Sequence, residues 1–118
     1  MYLTLERIDS FIRREEKFLP KFMPGTSQHS LLANRIAALR TVRNLLTGEG
    51  EPSQEELEFA VPRIRSIIQK MSKAREKYEP ESRNYRRFDP AVKAMEEVES
   101  LLQGVLGTQT QQEGSTLL

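Results

Sequence analysis

The chain has 118 residues, 37% of them hydrophobic and 30% charged, and it contains no cysteine. This length suits one domain that buries its own core, and the lack of cysteine excludes disulfides, a thiolate nucleophile and cysteine-ligated zinc. The formal net charge is only +1, yet residues 63–87 hold nine Lys or Arg against three Glu, whereas residues 49–58 hold five Glu and no base.

The first predicted helix covers residues 3–22. Its apolar residues recur at spacings of three and four, which is typical of a helix with one buried face. Pro20 should kink or end this helix near its last turn. The charged run at residues 13–17 contains the adjacent Glu15 and Glu16. Neighbouring residues point about 100° apart on a helix, so we expect a solvated face rather than an acid/base pair.

The second predicted helix is the best-defined element of the sequence. Either Thr26 or Ser27 can cap its start with a side-chain hydroxyl. An apolar stripe runs from Leu32 to Leu46 at helical spacing. Gly48 follows at the position that commonly adopts a left-handed conformation after a helix. The sequence therefore predicts a helical hairpin over residues 3–48.

The third predicted helix follows a linker at residues 48–52. Ser53 and Glu56 have the spacing of a capping box, in which each side chain accepts a hydrogen bond from the other residue's free amide. Apolar residues continue at helical spacing from Leu57, and Pro80 should close the element.

The fourth predicted helix completes a second hairpin, over residues 53–106. Asp89 is expected to be its N-cap and Pro90 its first helical residue. Gly104 or Gly107 is expected to end it. Residues 108–118 are polar and of low complexity, which predicts a flexible tail outside a single domain at residues 1–107.

An internal repeat links the two hairpins. Residues 7–48 align with residues 63–104 without a gap at an offset of 56, and twelve positions are identical, including Pro24 with Pro80 and Gly48 with Gly104. Two amphipathic helices can match in phase by chance, but phase does not explain the coincident Pro and Gly positions. The expected fold is therefore all-α: an antiparallel up-down-up-down four-helix bundle built from two duplicated hairpins.

This fold would bring two connections together at one end of the bundle. Residues of the first turn and the basic segment at 83–88 would then form a polar, basic and partly aromatic patch. Arg residues are expected to anchor carboxylates or other anions, the Tyr to supply an aromatic contact, and Gln and His to form a polar rim. The candidate residues are Gln28, His29, Arg83, Tyr85, Arg86 and Arg87.

Catalytic chemistry has little support in the sequence. A single histidine, His29, cannot build a multi-histidine metal site, and neither a nucleophile elbow nor a phosphate-binding Gly-rich loop is present. His29 is better explained as a helix-start residue that satisfies a nearby backbone group. We therefore expect no catalytic residue, no cofactor and no metal, and the chain is interpreted as a non-enzyme.

The expected function is binding, with a protein partner or a second copy of the chain favoured. Several apolar residues lie off the main stripes and support such contacts: Tyr2, Leu3, Met23, Leu31, Phe59, Val61 and Leu106. Nucleic-acid binding through residues 63–88 is the alternative, although the pI near 8.0 is low for a dedicated binder. The same bases would instead be neutralised if they paired with Glu96, Glu97 and Glu99 of the fourth helix.

The expected location is the cytoplasm. No cysteine requires an oxidising compartment, the N-terminal segment lacks a continuous apolar stretch, and no run of about 18 apolar residues occurs. We therefore expect neither a membrane-spanning segment nor a membrane partner, in a bacterial-type protein.

Overall fold

The protein is all-helical in a computed structural model that describes the backbone of residues 2–117 and the side chains of residues 4–107. The helices are α1 (Tyr2–Phe18), a short 3₁₀ helix (Leu19–Lys21), α2 (Ser27–Thr47), α3 (Gln54–Glu76) and α4 (Arg83–Leu117). Over residues 2–117 there is no strand. The predicted all-α class is confirmed.

The four helices pack around one apolar core. Each helix contributes a fully buried side chain to its centre, namely Ile8, Leu39, Ile64 and Met95. Helix α3 packs most extensively against α4 and next against α2, while α1 packs on α2 and makes only a small contact with α4. Burying such a side chain contributes roughly 1.5–3 kcal/mol, so this core is the main source of stability.

Local signals set most of the helix ends as predicted. The Thr26 hydroxyl accepts a hydrogen bond from the His29 amide at 3.2 Å, and Gly48 ends α2 with a φ of 72°. Ser53 and Glu56 form the complete capping box at the start of α3. Pro20 lies in the 3₁₀ helix that follows α1, because its ring removes the donor that a further α-helical turn would need.

The predicted start of α4 is wrong. The helix begins at Arg83, and the Ser82 hydroxyl caps it by accepting a hydrogen bond from the Tyr85 amide at 3.2 Å. Asp89 and Pro90 therefore lie inside the helix, and residues 83–88 form its first turns rather than a loop. The serine hydroxyl is an effective cap seven residues earlier than expected, and the turns before Pro90 form in spite of its missing amide donor.

The predicted end of α4 is also wrong, because the backbone stays helical past Gly104 and Gly107 to Leu117. Neither glycine adopts a positive φ, so neither interrupts the helix. The side chains of residues 108–118 lie outside the described part of the chain, and the flexible tail stays a prediction.

The turns that connect α1 to α2 and α3 to α4 share one hydrogen-bond pattern. The Thr26 amide donates to the Met23 carbonyl at 3.2 Å, and the Ser82 amide donates to the Glu79 carbonyl at 2.9 Å. In both turns the capping hydroxyl then accepts from the third residue of the next helix. The corresponding residues of the two turns, such as Thr26 and Ser82, are 56 positions apart, which is the offset of the sequence repeat.

Candidate functional site

A cleft of about 370 Å³ opens between the four helices. Its size is at the lower end of the range of about 300–1,000 Å³ that is usual for ligand pockets. Apolar and aromatic side chains form much of its wall: Phe11, Phe18, Ile67, Met71, Ala74, Phe88 and Ala91. The limited contact between α1 and α4 leaves this space unfilled.

Basic residues from all four helices surround this apolar wall. The charged side chains that line the cleft are five cations and one carboxylate: Arg7, Arg14, Arg35, Lys70, Arg87 and Glu15. Within the part of the chain that is described, none of the five cations forms an ion pair. The cleft is therefore electropositive and suits a ligand that carries negative charge.

Arg35 is the buried cation of the cleft. Only 6% of this residue is exposed, and its Nη2 donates a hydrogen bond to Ser66 Oγ at 3.1 Å. Its buried Nε has no hydrogen-bond partner within the described part of the chain. A buried guanidinium without an acidic partner is costly, because five N–H donors and a full charge have left water. A bound anion would supply the missing acceptors.

Glu15 is buried in the same cleft, so the expected solvated face at residues 13–17 is wrong for this position. Its exposure is 8%, and no described residue donates a hydrogen bond to its carboxylate or pairs with it. Helix periodicity puts position 15 on the same face as Ile8 and Ile12, which are core residues, while Glu16 points outwards to Arg40.

The six residues predicted as a binding patch lie on the first turns of α2 and α4. Gln28, Arg83, Arg86 and Arg87 are exposed, and His29 and Tyr85 are half-buried. No hydrogen bond or ion pair among the described residues joins the two α2 residues to the four α4 residues. Only Arg87 also lines the cleft. The patch as a single site stays a prediction.

The Tyr85 ring is already engaged within the protein. The guanidinium of Arg75 lies 5.5 Å from its centroid, and Arg75 Nη1 donates to Asp89 Oδ1 at 2.8 Å. Asp89 also pairs with Lys93 at 3.0 Å. Hydrogen bonds from Lys93 and Arg75 hold the pKa of Asp89 below its ordinary value, although partial burial opposes them.

Basic residues outside the cleft are partly neutralised by neighbouring helices. Arg65 Nε donates to Glu99 Oε1 at 2.6 Å, which matches the predicted pairing of the third helix with the fourth. Arg43 joins Asp9 at 2.8 Å, and that hydrogen bond and charge raise the pKa of Arg43. By contrast, Lys73 and Lys77 of the predicted basic segment have no ion pair in the described region. The neutralisation is therefore incomplete.

The apolar residues predicted to lie off the main helical stripes differ in how exposed they are. Met23 is 75% exposed and Leu31 is 47% exposed, as an interaction surface would need. Val61 is buried in the core, so its predicted exposure is wrong, and Phe59 and Leu106 are half-buried. The side chains of Tyr2 and Leu3 lie outside the described residues.

Across the described residues, no group of three or more His, Cys, Asp or Glu is arranged to hold a metal ion, and no helix has the length and apolarity needed to cross a membrane. Comparison with protein-family models, with curated proteins and with solved structures found no match.

The sequence contains a signal for the cleft in two charged residues that lie on apolar helix faces. Glu15 and Arg35 both lie in phase with the apolar residues of their helices, Glu15 three residues after Ile12 and Arg35 three residues after Leu32. Charged residues on an apolar stripe are candidates for functional groups, because their burial costs stability.

Proposed function

We propose that this protein is a non-catalytic binding module, and that its four-helix cleft receives an anionic group carried on an apolar body. The observation that carries the proposal is Arg35, a nearly buried cation in an apolar cleft that four further cations surround, none of the five having an acidic partner among the described residues. Burying a charge this way is unfavourable unless a ligand completes its hydrogen bonds. A cytoplasmic location stays a prediction.

We also propose that the bundle is antiparallel, up-down-up-down. The interhelical ion pairs support this direction, because residue numbers rise on one helix as they fall on its neighbour. The pairs are Asp9–Arg43 and Glu16–Arg40 between α1 and α2, and Arg65–Glu99 and Arg75–Asp89 between α3 and α4.

A duplicated hairpin accounts for where the cleft lies. Several of the residues that line it are 56 positions apart, which is the offset of the sequence repeat. These are Phe11 and Ile67, Arg14 and Lys70, Glu15 and Met71, Phe18 and Ala74, and Arg35 and Ala91. Equivalent faces of the two hairpins would meet at a pseudo-twofold axis, and the cleft would be the space on that axis. The shared pattern of the two turns supports the same duplication.

The expected function is still binding, but its site is the cleft rather than the predicted patch on the first turns of α2 and α4. An acidic, apolar segment of a partner protein has the required chemistry, and so does a small anionic molecule. The exposed Met23 and Leu31 lie outside the cleft lining, so docking or self-association through them would be a separate surface. No described contact adds support to nucleic-acid binding, because the Tyr85 ring is packed under Arg75.

A pair of fluorescent probes tests the proposal. The anionic 8-anilinonaphthalene-1-sulfonate and the uncharged N-phenyl-1-naphthylamine share an aromatic body and differ in charge. We expect saturable binding of the anionic probe, weakened at least tenfold by Arg35→Met, since a charge-assisted hydrogen bond is worth about 1.5–3 kcal/mol. Binding of the uncharged probe should change little.

Arg40→Met is the matched control, because Arg40 is on the same helix but is exposed and paired with Glu16. It should leave both affinities unchanged. Equal affinity of the wild-type protein for the two probes, or equal losses in the two variants, would show that the cleft does not select for negative charge.

A further inference from the structure

Glu15 is the carboxylate of the cleft, and it favours a ligand that has hydrogen-bond donors as well as negative charge. Glu15 is only 8% exposed and lines the cleft beside five cations, but it forms no ion pair with Arg35 or with any other described residue. Its carboxylate oxygens are not among the fully buried atoms, so they are open to the cleft, where N–H or O–H donors of a ligand can reach them. A ligand that offers donors as well as an anionic group would therefore match the charged residues of the cleft.

The cleft has more cations than a ligand with a single carboxylate would need to balance its charge. Arg35 alone can hold a single carboxylate, whereas Arg7, Arg14, Lys70 and Arg87 add four exposed cations around the same space. Arg and Lys together at a mouth of this kind are suited to phosphate groups, which carry more than one negative charge. An amino acid would satisfy Glu15 and Arg35 but leave the other cations without a counter-charge.

Aromatic rings supply the third part of the recognition. Phe11, Phe18 and Phe88 line the cleft and offer aromatic contact to a flat heteroaromatic ring. Each ring already has a neighbour, namely Arg14 at Phe11, Lys21 at Phe18 and Tyr78 at Phe88, so the ligand ring would contact the part of each ring that faces the cleft. A cleft of about 370 Å³ admits a single ligand of this size rather than a chain of them.

We propose that the ligand is a free nucleoside phosphate, whose base donates N–H groups to Glu15 and whose phosphate binds Arg35 and the surrounding cations. This inference rests on the proposed function of the cleft. A guanine base offers two adjacent donors, the ring N–H and the amino group, which match the two oxygens of one carboxylate. Adenine offers only its amino group on the corresponding edge. Guanine nucleotides should therefore bind more tightly.

Calorimetric titration of the full chain with guanosine and adenosine monophosphates tests this inference. We expect the guanine nucleotide to bind about tenfold more tightly, as two charge-assisted hydrogen bonds replace one. Glu15→Gln should remove most of that preference, and Arg35→Met should weaken both nucleotides alike. Glu6→Gln is the matched control, because Glu6 is an exposed residue of α1 that does not line the cleft.

The two proposals fail in different ways. If the anionic probe does not bind, the proposed function of the cleft fails. If that probe binds and neither nucleotide displaces it, or if Glu15→Gln leaves the base preference intact, only the nucleoside phosphate assignment fails. Tighter binding of a short guanine-containing single-stranded oligonucleotide than of the mononucleotide would overturn the assignment to a free nucleotide. Circular dichroism of each variant checks that the helices are retained.

Discussion

Arg75 of α3 and Asp89 of α4 form an ion pair of 2.8 Å in which both side chains are only about one-fifth exposed. The same carboxylate accepts a second hydrogen bond from Lys93, one turn further along α4. Asp89 therefore fastens the two helices that pack most extensively, at a position where the sequence had predicted only a helix cap.

The lowered pKa of Asp89 predicts a pH-dependent contribution to stability. A carboxyl group whose pKa is lower in the folded state stabilises the fold above its unfolded pKa, and this contribution is lost as the pH falls through the folded value. We expect Asp89→Asn to lower the free energy of unfolding at pH 7. The difference from the wild type should shrink below about pH 4.

Urea denaturation of both proteins between pH 7 and pH 2.5 measures this effect. Glu96→Gln is a suitable control, since Glu96 is an exposed residue of the same helix without an ion pair in the described region. A constant difference between wild type and Asp89→Asn across the whole range would mean that the charge of Asp89 is not the cause.

Replacing Arg35 by methionine should stabilise the protein while it weakens ligand binding. Methionine is apolar, fills a similar space and needs no hydrogen bonds, whereas the guanidinium has a buried N–H that no described residue accepts from. We expect the free energy of unfolding to rise by about 1 kcal/mol or more, as for other buried charges that are replaced by packed apolar residues. Urea denaturation without ligand gives this value. A loss of stability instead would show that the bond to Ser66 outweighs the burial cost.

The cap of α4 can be tested at Ser82. Ser82→Ala removes the hydroxyl that accepts from the Tyr85 amide, and we expect a loss of about 1 kcal/mol in thermal or urea denaturation. Ser100→Ala, an exposed position within α4, should change stability by less than about 0.5 kcal/mol. Equal effects at both positions would argue against a helix that begins at Arg83.

Two glycines with the same open surroundings should respond in opposite directions to alanine. A methyl group at Gly48 or Gly104 meets no atom within 4 Å, but only Gly48 has a positive φ, of 72°. Gly48→Ala should cost about 1 kcal/mol, because a side chain strains the left-handed conformation. Gly104→Ala should add about 0.5–1 kcal/mol, because alanine is the better helix former. Denaturation midpoints that move the same way would contradict this assignment.

Local chemistry explains which helix boundaries could be predicted. The Ser53–Glu56 capping box and the Gly48 terminator act over four residues or fewer, so their spacing in the sequence is sufficient. Asp89 and Pro90 also have a strong local signal for a helix start, but Ser82 competes with them. Packing of α4 against α3, with Asp89 held by Arg75, favours the earlier start. Local sequence signals alone do not decide between a helix start after Ser82 and one after Asp89.

The sequence by itself determined that the chain forms amphipathic helices, which of their faces are apolar, and where most of the turns occur. These features follow from side-chain periodicity and from hydrogen bonds between near neighbours. Only the tertiary structure decided that Glu15 and Arg35 line the same cleft and that the cations around it have no acidic partners among residues 4–107. The physical reason is that burial and charge pairing depend on which helices meet and how closely, and residues 20 positions apart carry no sequence signal of that approach.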